Sequence, residues 1–209
     1  MEYENAFYHV MNRGRGRQTI FHEEVYYQSF LDILAGACER FDCMVHAYCL
    51  MENHYHLLIQ TPKANLSRVM RHVNGVYTQK HNRLKRTDGP LFRGRFKAIL
   101  VDKDDYLVQL TRYIHRNPID MKCPLDKKLE DYLWSSYSAF IGNAEPQTWL
   151  ERDLTLSMLG HNDRCEGYRR FVAMGVDENT ANFYGKNNYP AIIGDKAFKE
   201  WVYDELLPE

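Results

Sequence analysis

Two small groups of residues in this sequence carry chemistry-bearing side chains at meaningful spacing. The first is His54 and His56, inside Tyr48-Cys49-Leu50-Met51-Glu52-Asn53-His54-Tyr55-His56-Leu57-Leu58-Ile59. In a strand successive side chains point to opposite faces, so His54 and His56 share one face while Tyr55, Leu57 and Ile59 take the other. Neutral imidazole is the commonest nitrogen ligand for a divalent ion, and this spacing suits two nitrogens on one cation. Taken alone, the pair also suits two hydrogen-bonded or exposed imidazoles. The second group is Tyr113 and Asn117 in Tyr113-Ile114-His115-Arg116-Asn117-Pro118. These two stand four residues apart on one helical face, just before a proline expected to end the helix. A phenol offers a nucleophile and an amide oxygen offers a third ligand. Each also has a plain structural reading, Tyr113 as a half-buried core tyrosine and Asn117 as a helix C-cap. His115 is rotated about 200° from Tyr113 and is left outside the site. His9 and His46 read as core or sheet-face residues, with a supporting contact to the site left open.

The elements that must position these groups follow from periodicity. Ala6 to Asn12 is rich in strand formers, and from Glu23 to Phe41 the apolar residues recur at helical steps. Cys43 to Met51 is nearly all apolar, as a covered strand should be, and Glu52-Asn53 makes a tight connection into the histidine strand. Leu66, Val69, Met70, Val73, Val76, Tyr77 and Leu84 mark a long helix to about Lys85, broken by Thr87-Asp88-Gly89-Pro90. Phe96 to Val101 reads as a fourth strand, and Asp102 with Asp105 resembles an N-cap for the helix bearing Leu107, Leu110 and Tyr113. The order β-α-β-β-α-β followed by a helix predicts an α+β fold with a ferredoxin-like antiparallel sheet. Two units are expected, residues 1–122 and a small helical C-terminal extension over 123–209. Within the extension, helices are expected at Leu154 to Leu159, Tyr168 to Met174 and Lys196 to Leu207, the last after a turn at Ile192-Ile193-Gly194 with Asp195 as N-cap.

Composition narrows the class. Hydrophobic content of 44% and charged content of 26% describe an ordinary globular chain and argue against a disordered or fibrous one. With no apolar run near membrane-spanning length and an acidic Met1-Glu2-Tyr3-Glu4 start, a cytoplasmic protein with no membrane partner is expected. The five cysteines, Cys38, Cys43, Cys49, Cys123 and Cys165, form no CxxC pair and read as reduced thiols. Charge is uneven: residues 1–122 hold 18 basic and 13 acidic side chains, whereas 123–209 hold 9 and 15. Residues 61–100 hold ten basic side chains against Asp88 alone, which suits either a phosphate-binding surface or a solvated helix face. Near the start, Arg13-Gly14-Arg15-Gly16-Arg17 alternates guanidinium groups with glycine, a pattern expected to form a flexible loop. Arg13, Arg15, Arg17, Arg93, Arg95 and Lys97 flank the histidine strand in sequence and are the candidate nucleic-acid phosphate contacts. Phe92 and Phe96 lie among them and read as core rather than base-stacking residues.

Four blocks in order, FYHVMNRGRGRQTIF, YCLMENHYHLLI, LFRGRFKAILVD and YIHRNP, resemble the HUH nuclease superfamily. The resemblance is in particular to its single-tyrosine transposases, which include the REP-associated tyrosine transposases. It covers residues 6 to about 120 and continues more loosely through Asp131 to Tyr137. It implies Tyr113 as the nucleophile, His54 and His56 as ligands of Mg²⁺ or Mn²⁺, and Asn117 as the third ligand. It further implies cleavage and rejoining of single-stranded DNA beside a hairpin or palindrome, through a 5′-phosphotyrosine intermediate. A homodimer is compatible with this reading. A catalytically silent hairpin-binding or single-strand-binding regulator, derived from a transposase, is the alternative. A metalloenzyme for a small molecule is disfavoured by the basic segment and the tyrosine motif.

Overall fold

Runs of aromatic and aliphatic residues bounded by turn formers produce the strands, and the computed structural model, which describes residues 1–120, 128–160, 162–185 and 190–206, joins them in one sheet. Its strands are β1 (Ala6–Arg13), β2 (Met44–Met51), β3 (His54–Thr61), β4 (Lys97–Val101) and β5 (Ile192–Ile193), in the order β2-β3-β1-β4-β5. The first four pair antiparallel, in the ferredoxin-like arrangement, and β5 adds parallel to β4. Helices α1 (Glu24–Phe41) and α2 (Leu66–Lys85) cover one face, and α3 (Lys103–Asp120) covers the other.

Both faces of the central strands are therefore dry. Tyr8, Val10, Tyr55, Leu57 and Ile59 join Phe30, Leu34, Val69, Val73 and Tyr77 in the core beneath α1 and α2. Phe7, Met11, Ala47, Cys49, Leu58, Ile99 and Val101 pack with Leu107, Leu110 and Ile114 of α3. Each fully buried side chain of this size contributes about 1.5–3 kcal/mol of apolar transfer, which outweighs the weak β propensity of residues such as Ala47 and Cys49.

Both edges of the sheet are covered by the C-terminal part of the chain. Along β2, Leu50 donates its amide to the Trp134 carbonyl, Ser136 donates to the Tyr48 carbonyl, and Glu151 donates to the Val45 carbonyl, at 2.8, 3.1 and 2.8 Å. Along β4 the cover is β5. An exposed strand edge is a template for aggregation, and this arrangement leaves the β2 edge and the C-terminal half of β4 with partners. The remaining helices are α4 (Tyr137–Phe140), α5 (Asp153–Ser157), α6 (Arg164–Ala173), α7 (Glu178–Tyr184) and α8 (Lys196–Leu206). Among the described residues no helix is long and apolar enough to cross a membrane. Cys38, Cys43, Cys49 and Cys165 are free thiols, while Cys123 and Leu207 lie outside the described residues.

Several expectations need correction. Ile192-Ile193, expected in a turn, is strand β5, because the apolar pair fills the open edge of β4; Asp195 does cap α8, accepting the Phe198 amide at 2.6 Å. Helix α3 runs two residues past Pro118. A proline so near a C-terminus removes one hydrogen bond in the last turn and leaves the preceding turns intact. The basic run does not form one surface: Arg68, Arg71, Lys80, Arg83 and Lys85 ride on α2, across the sheet from the histidines, and only its last members reach the histidine end.

The arginine-glycine segment is a built turn rather than a flexible loop. Gly14 donates to the Asn53 carbonyl, Arg15 to the Leu91 carbonyl and Arg17 to the Gly14 carbonyl, at 2.9, 2.9 and 3.0 Å. Gly14 has φ −56° and ψ 144°, which any residue can adopt, so its need for glycine is one of space. A Cβ there would stand 2.2 Å from the Gln18 carbonyl oxygen. Gly14→Ala must open the turn, and we expect it to lower stability by about 1–3 kcal/mol in urea unfolding. A midpoint equal to that of the wild type would show that the turn yields freely.

Candidate active site

The pairing of β1 with β3 decides which side chains meet. Arg13 lies opposite His54, Met11 opposite His56, and His9 opposite Leu58, so these residues share the face covered by α3. On that face the rings of His54 and His56 lie 5.1 Å apart between centroids. His56 and His9 are joined through Nδ1 and Nε2 respectively at 2.9 Å, and Nδ1 of His9 meets the Tyr184 hydroxyl at 2.6 Å. His54 donates from Nδ1 to the Asn53 side-chain oxygen at 2.7 Å. Both histidines of the strand thus engage Nδ1 and keep Nε2 for something else.

Burial makes these imidazoles neutral. It holds His9 down at about 3 and His54, with help from the Arg13 charge, at about 4. His56 is held well below the usual imidazole range, first by burial and then by its two histidine neighbours. A neutral imidazole keeps a lone pair, which a cation needs.

Helix α3 brings Tyr113 onto this group. Its ring centroid is 6.0 Å from His56 and 6.0 Å from His9, edge-on to both. Tyr184, at the end of α7, stacks on Tyr113 at 4.0 Å with the rings 12° from parallel. The helix is set in place by Arg112, which pairs with Asp177 at 3.1 Å and lies over the Phe171 ring at 4.2 Å. Asp177 in turn caps α7, accepting the Thr180 amide at 2.9 Å. One buried guanidinium therefore ties the helix of Tyr113 to the helix of Tyr184.

Asn117 is half-buried and donates from Nδ2 to the Tyr113 carbonyl at 2.8 Å, which leaves its oxygen as an acceptor. No hydrogen bond links it to His54 or His56 among the described residues. Nor, among those residues, does any group of three or more His, Cys, Asp or Glu side chains surround a point suited to a metal. The donor set is instead two neutral imidazoles and an amide, whose chemistry fits a divalent ion that keeps its full charge. His115 is fully buried between the Tyr168 hydroxyl at 2.6 Å and Ser136 Oγ at 2.7 Å, away from the group. His46 bonds Gln60 at 3.0 Å.

The basic candidates gather at the same end of the sheet. Residues 13–15 and 91–93 run side by side, with Arg93 donating its amide to the Arg13 carbonyl at 2.9 Å. Arg13 is half-buried beside His54, Arg15, Arg17, Arg93 and Arg95 are exposed, and exposed Lys97 pairs in register with Met11 on the histidine face. Phe92 is buried in the core, against Tyr55 and Tyr77.

Comparison with known proteins matches residues 2–117 to the family described as Transposase IS200 like. The chain belongs to the IS200-like transposases. Its fold is that of a REP-associated tyrosine transposase, solved bound to a REP hairpin, with a TM-score of 0.60 at 14% identity over 74% of this chain and 90% of that one. A chain named provisionally as a transposase of Deinococcus radiodurans R1 matches at 19% identity over 55% of this chain and 92% of that one, with a TM-score of 0.40, too low to carry weight. No curated protein matches the sequence.

For this transposase, sequence reasoning missed Tyr184 and the part played by Asn53. Asn53 was visible only as a turn residue, and Tyr184 lies 71 residues beyond Tyr113 in a helix with little periodic signal. The buried histidines also set a pH dependence. His9 and His115 are each held down to about 3 by burial, against about 6.5 when unfolded, so between those values the unfolded chain binds more protons. Their stabilising effect is complete above pH 6.5 and is lost as pH falls. We expect the urea-unfolding free energy to drop by roughly 1.5 kcal/mol for each ring between pH 6.5 and 5. A flat profile over that range would contradict the neutral, buried assignment.

Proposed function

We propose that this transposase cleaves and rejoins single-stranded DNA at the foot of a hairpin or palindrome, with Tyr113 as the nucleophile. The observation that carries the reading is the placement of the Tyr113 ring against His56 and His9 on one buried sheet face. Hairpin DNA is proposed because the fold neighbour was solved with a REP hairpin.

Tyr113 Oη would attack the scissile phosphorus, forming an O–P bond as the bond from phosphorus to the 3′ oxygen breaks. The proton lost by the phenol is balanced by the one gained by the departing 3′-hydroxyl. The product is a 5′-phosphotyrosine, an ester of comparable energy to the phosphodiester, so a second 3′-hydroxyl can reverse the reaction without a nucleotide cofactor. His54, His56 and Asn117 would hold Mg²⁺ or Mn²⁺, which supplies positive charge to the phosphate oxygens as charge develops. The Tyr184 stack holds the plane of the Tyr113 ring, and Arg112 holds the helix that bears it. Arg13, Arg15, Arg17, Arg93, Arg95 and Lys97 would contact the DNA backbone, which positions the strand without reading its sequence.

With a labelled hairpin oligonucleotide from the DNA flanking its own gene, we expect a covalent protein-DNA adduct that needs Mg²⁺ or Mn²⁺ and vanishes in Tyr113→Phe. An equal adduct in that variant would refute the role of Tyr113. No adduct with the wild type would favour a silent DNA-binding protein.

Arg93→Ala should weaken binding alike for different sequences and reduce the slope of log K against log salt by about 0.7–0.9. An unchanged slope would remove Arg93 from the phosphate contacts.

A further inference from the structure

The line from His56 through His9 to Tyr184 allows only two proton arrangements. A neutral imidazole carries one N–H and one lone pair, and each hydrogen bond in the line holds one proton. In the first arrangement the Tyr184 hydroxyl donates to Nδ1 of His9, His9 donates from Nε2 to Nδ1 of His56, and the proton of His56 sits on Nε2. In the second, His56 donates from Nδ1 to Nε2 of His9, His9 donates from Nδ1 to the Tyr184 oxygen, and Nε2 of His56 keeps its lone pair. The heavy-atom distances, 2.9 and 2.6 Å, are the same for both.

Two features of the structure separate them. In the first arrangement the proton of His56 occupies Nε2, the nitrogen a cation would need, whereas in the second every imidazole N–H of the line has an acceptor within the line and Nε2 keeps its lone pair. His54, the other histidine of the strand, already engages Nδ1 with an acceptor, the Asn53 oxygen, at 2.7 Å. The second arrangement gives both rings the same free nitrogen.

We propose that His9 is a positioning residue which, with Tyr184 as the terminal acceptor, holds His56 in the Nδ1–H tautomer. This goes beyond the choice of ligands and rests on the reading of His54 and His56 as the cation-holding pair. It gives the C-terminal extension a defined chemical part: a phenol oxygen from α7 sets which nitrogen of a β3 histidine carries the proton, through a ring on β1. Partners of this kind orient a ligand and raise its basicity, and their loss costs about 10–100-fold in metal affinity.

The test uses the full chain with ¹⁵N-labelled histidine. Two-bond ¹⁵N–¹H correlation spectra of the metal-free protein report the tautomer of His56, and Mn²⁺ binding is followed separately by electron paramagnetic resonance. The wild type should show the Nδ1–H pattern. Tyr184→Phe keeps an aromatic ring on Tyr113 but removes the acceptor, and His9→Phe removes the middle of the line. Both should move His56 toward the Nε2–H form and weaken Mn²⁺ binding by about 10–100-fold. His9→Gln, which can offer an amide oxygen to His56, should recover part of the loss. If His9→Phe fails to fold, Tyr184→Phe decides alone.

An Nε2–H pattern in the wild type, or an Nδ1–H pattern unchanged in Tyr184→Phe, would overturn the proposal. A wild type that shows the Nδ1–H pattern, loses it in Tyr184→Phe and yet binds no Mn²⁺ would uphold the positioning role while refuting the ligand reading.

Discussion

The register between β1 and β3 is the constraint on which the rest of this structure depends. A one-residue slip of β3 against β1 would turn His54 and His56 to the face beneath α1 and α2 and carry Tyr55 and Leu57 to the α3 side, parting them from His9. The two faces are not interchangeable. The α1/α2 side is packed by the fully buried rings of Phe30, Tyr55 and Tyr77 with aliphatic residues, while the α3 side sets the imidazoles among Phe7, Met11, Leu58, Ile99 and the residues of α3. Register is thus enforced by shape on one face and by polarity on the other. The polar groups of the site can be buried because the apolar packing behind them leaves no alternative pairing of similar energy.

With the strand set, the remaining variable is the position of the helix that carries Tyr113. Leu107, Leu110 and Ile114 seat α3 on the sheet, but apolar contacts alone tolerate small rotations and slides. Arg112 is more demanding. Its guanidinium is buried, paired with Asp177 and laid over Phe171, and loss of one partner would leave a charge without compensation in a dry place. Arg116 adds a bond from Nη1 to the Val172 carbonyl at 2.9 Å. Both arginines reach into the C-terminal part of the chain, so that part helps to set the distance between the tyrosine and the histidines.

The sequence made the ferredoxin-like order and the pairing of His54 with His56 legible, because both rest on short-range periodicity. It also isolated Tyr113 and Asn117, whose spacing is local. The arrangement that connects them was hidden, since it depends on contacts between residues far apart in the chain. His9 could be seen as a sheet-face histidine, but nothing local shows that Met11 and His9 flank the β3 histidines or that Tyr184 returns to close the line. The edge strand β5 was hidden for the same reason. Two isoleucines before a glycine look like a turn until an unpaired β4 edge is available to receive them. Where a residue's role comes from its neighbours along the chain, pattern is enough; where it comes from a partner across the sheet, only the fold supplies it.

The charge distribution completes the physical account. The centre of the site is built from neutral rings, and the arginines stand around it at the end of the sheet, mostly in water. Had the proposed ligands been carboxylates, they would have offset the charge of a bound cation and repelled a phosphate; neutral nitrogens and an amide oxygen do neither. The task proposed for the exposed arginines is different, since contacts made in high dielectric fall off with salt and carry no base information. In the proposed reading, backbone attraction and chemistry fall to separate groups: an exposed basic rim for the nucleic-acid strand and an uncharged, buried centre. That separation explains how the centre can be preorganised in the absence of DNA, because assembling it requires no unpaired charge to be buried.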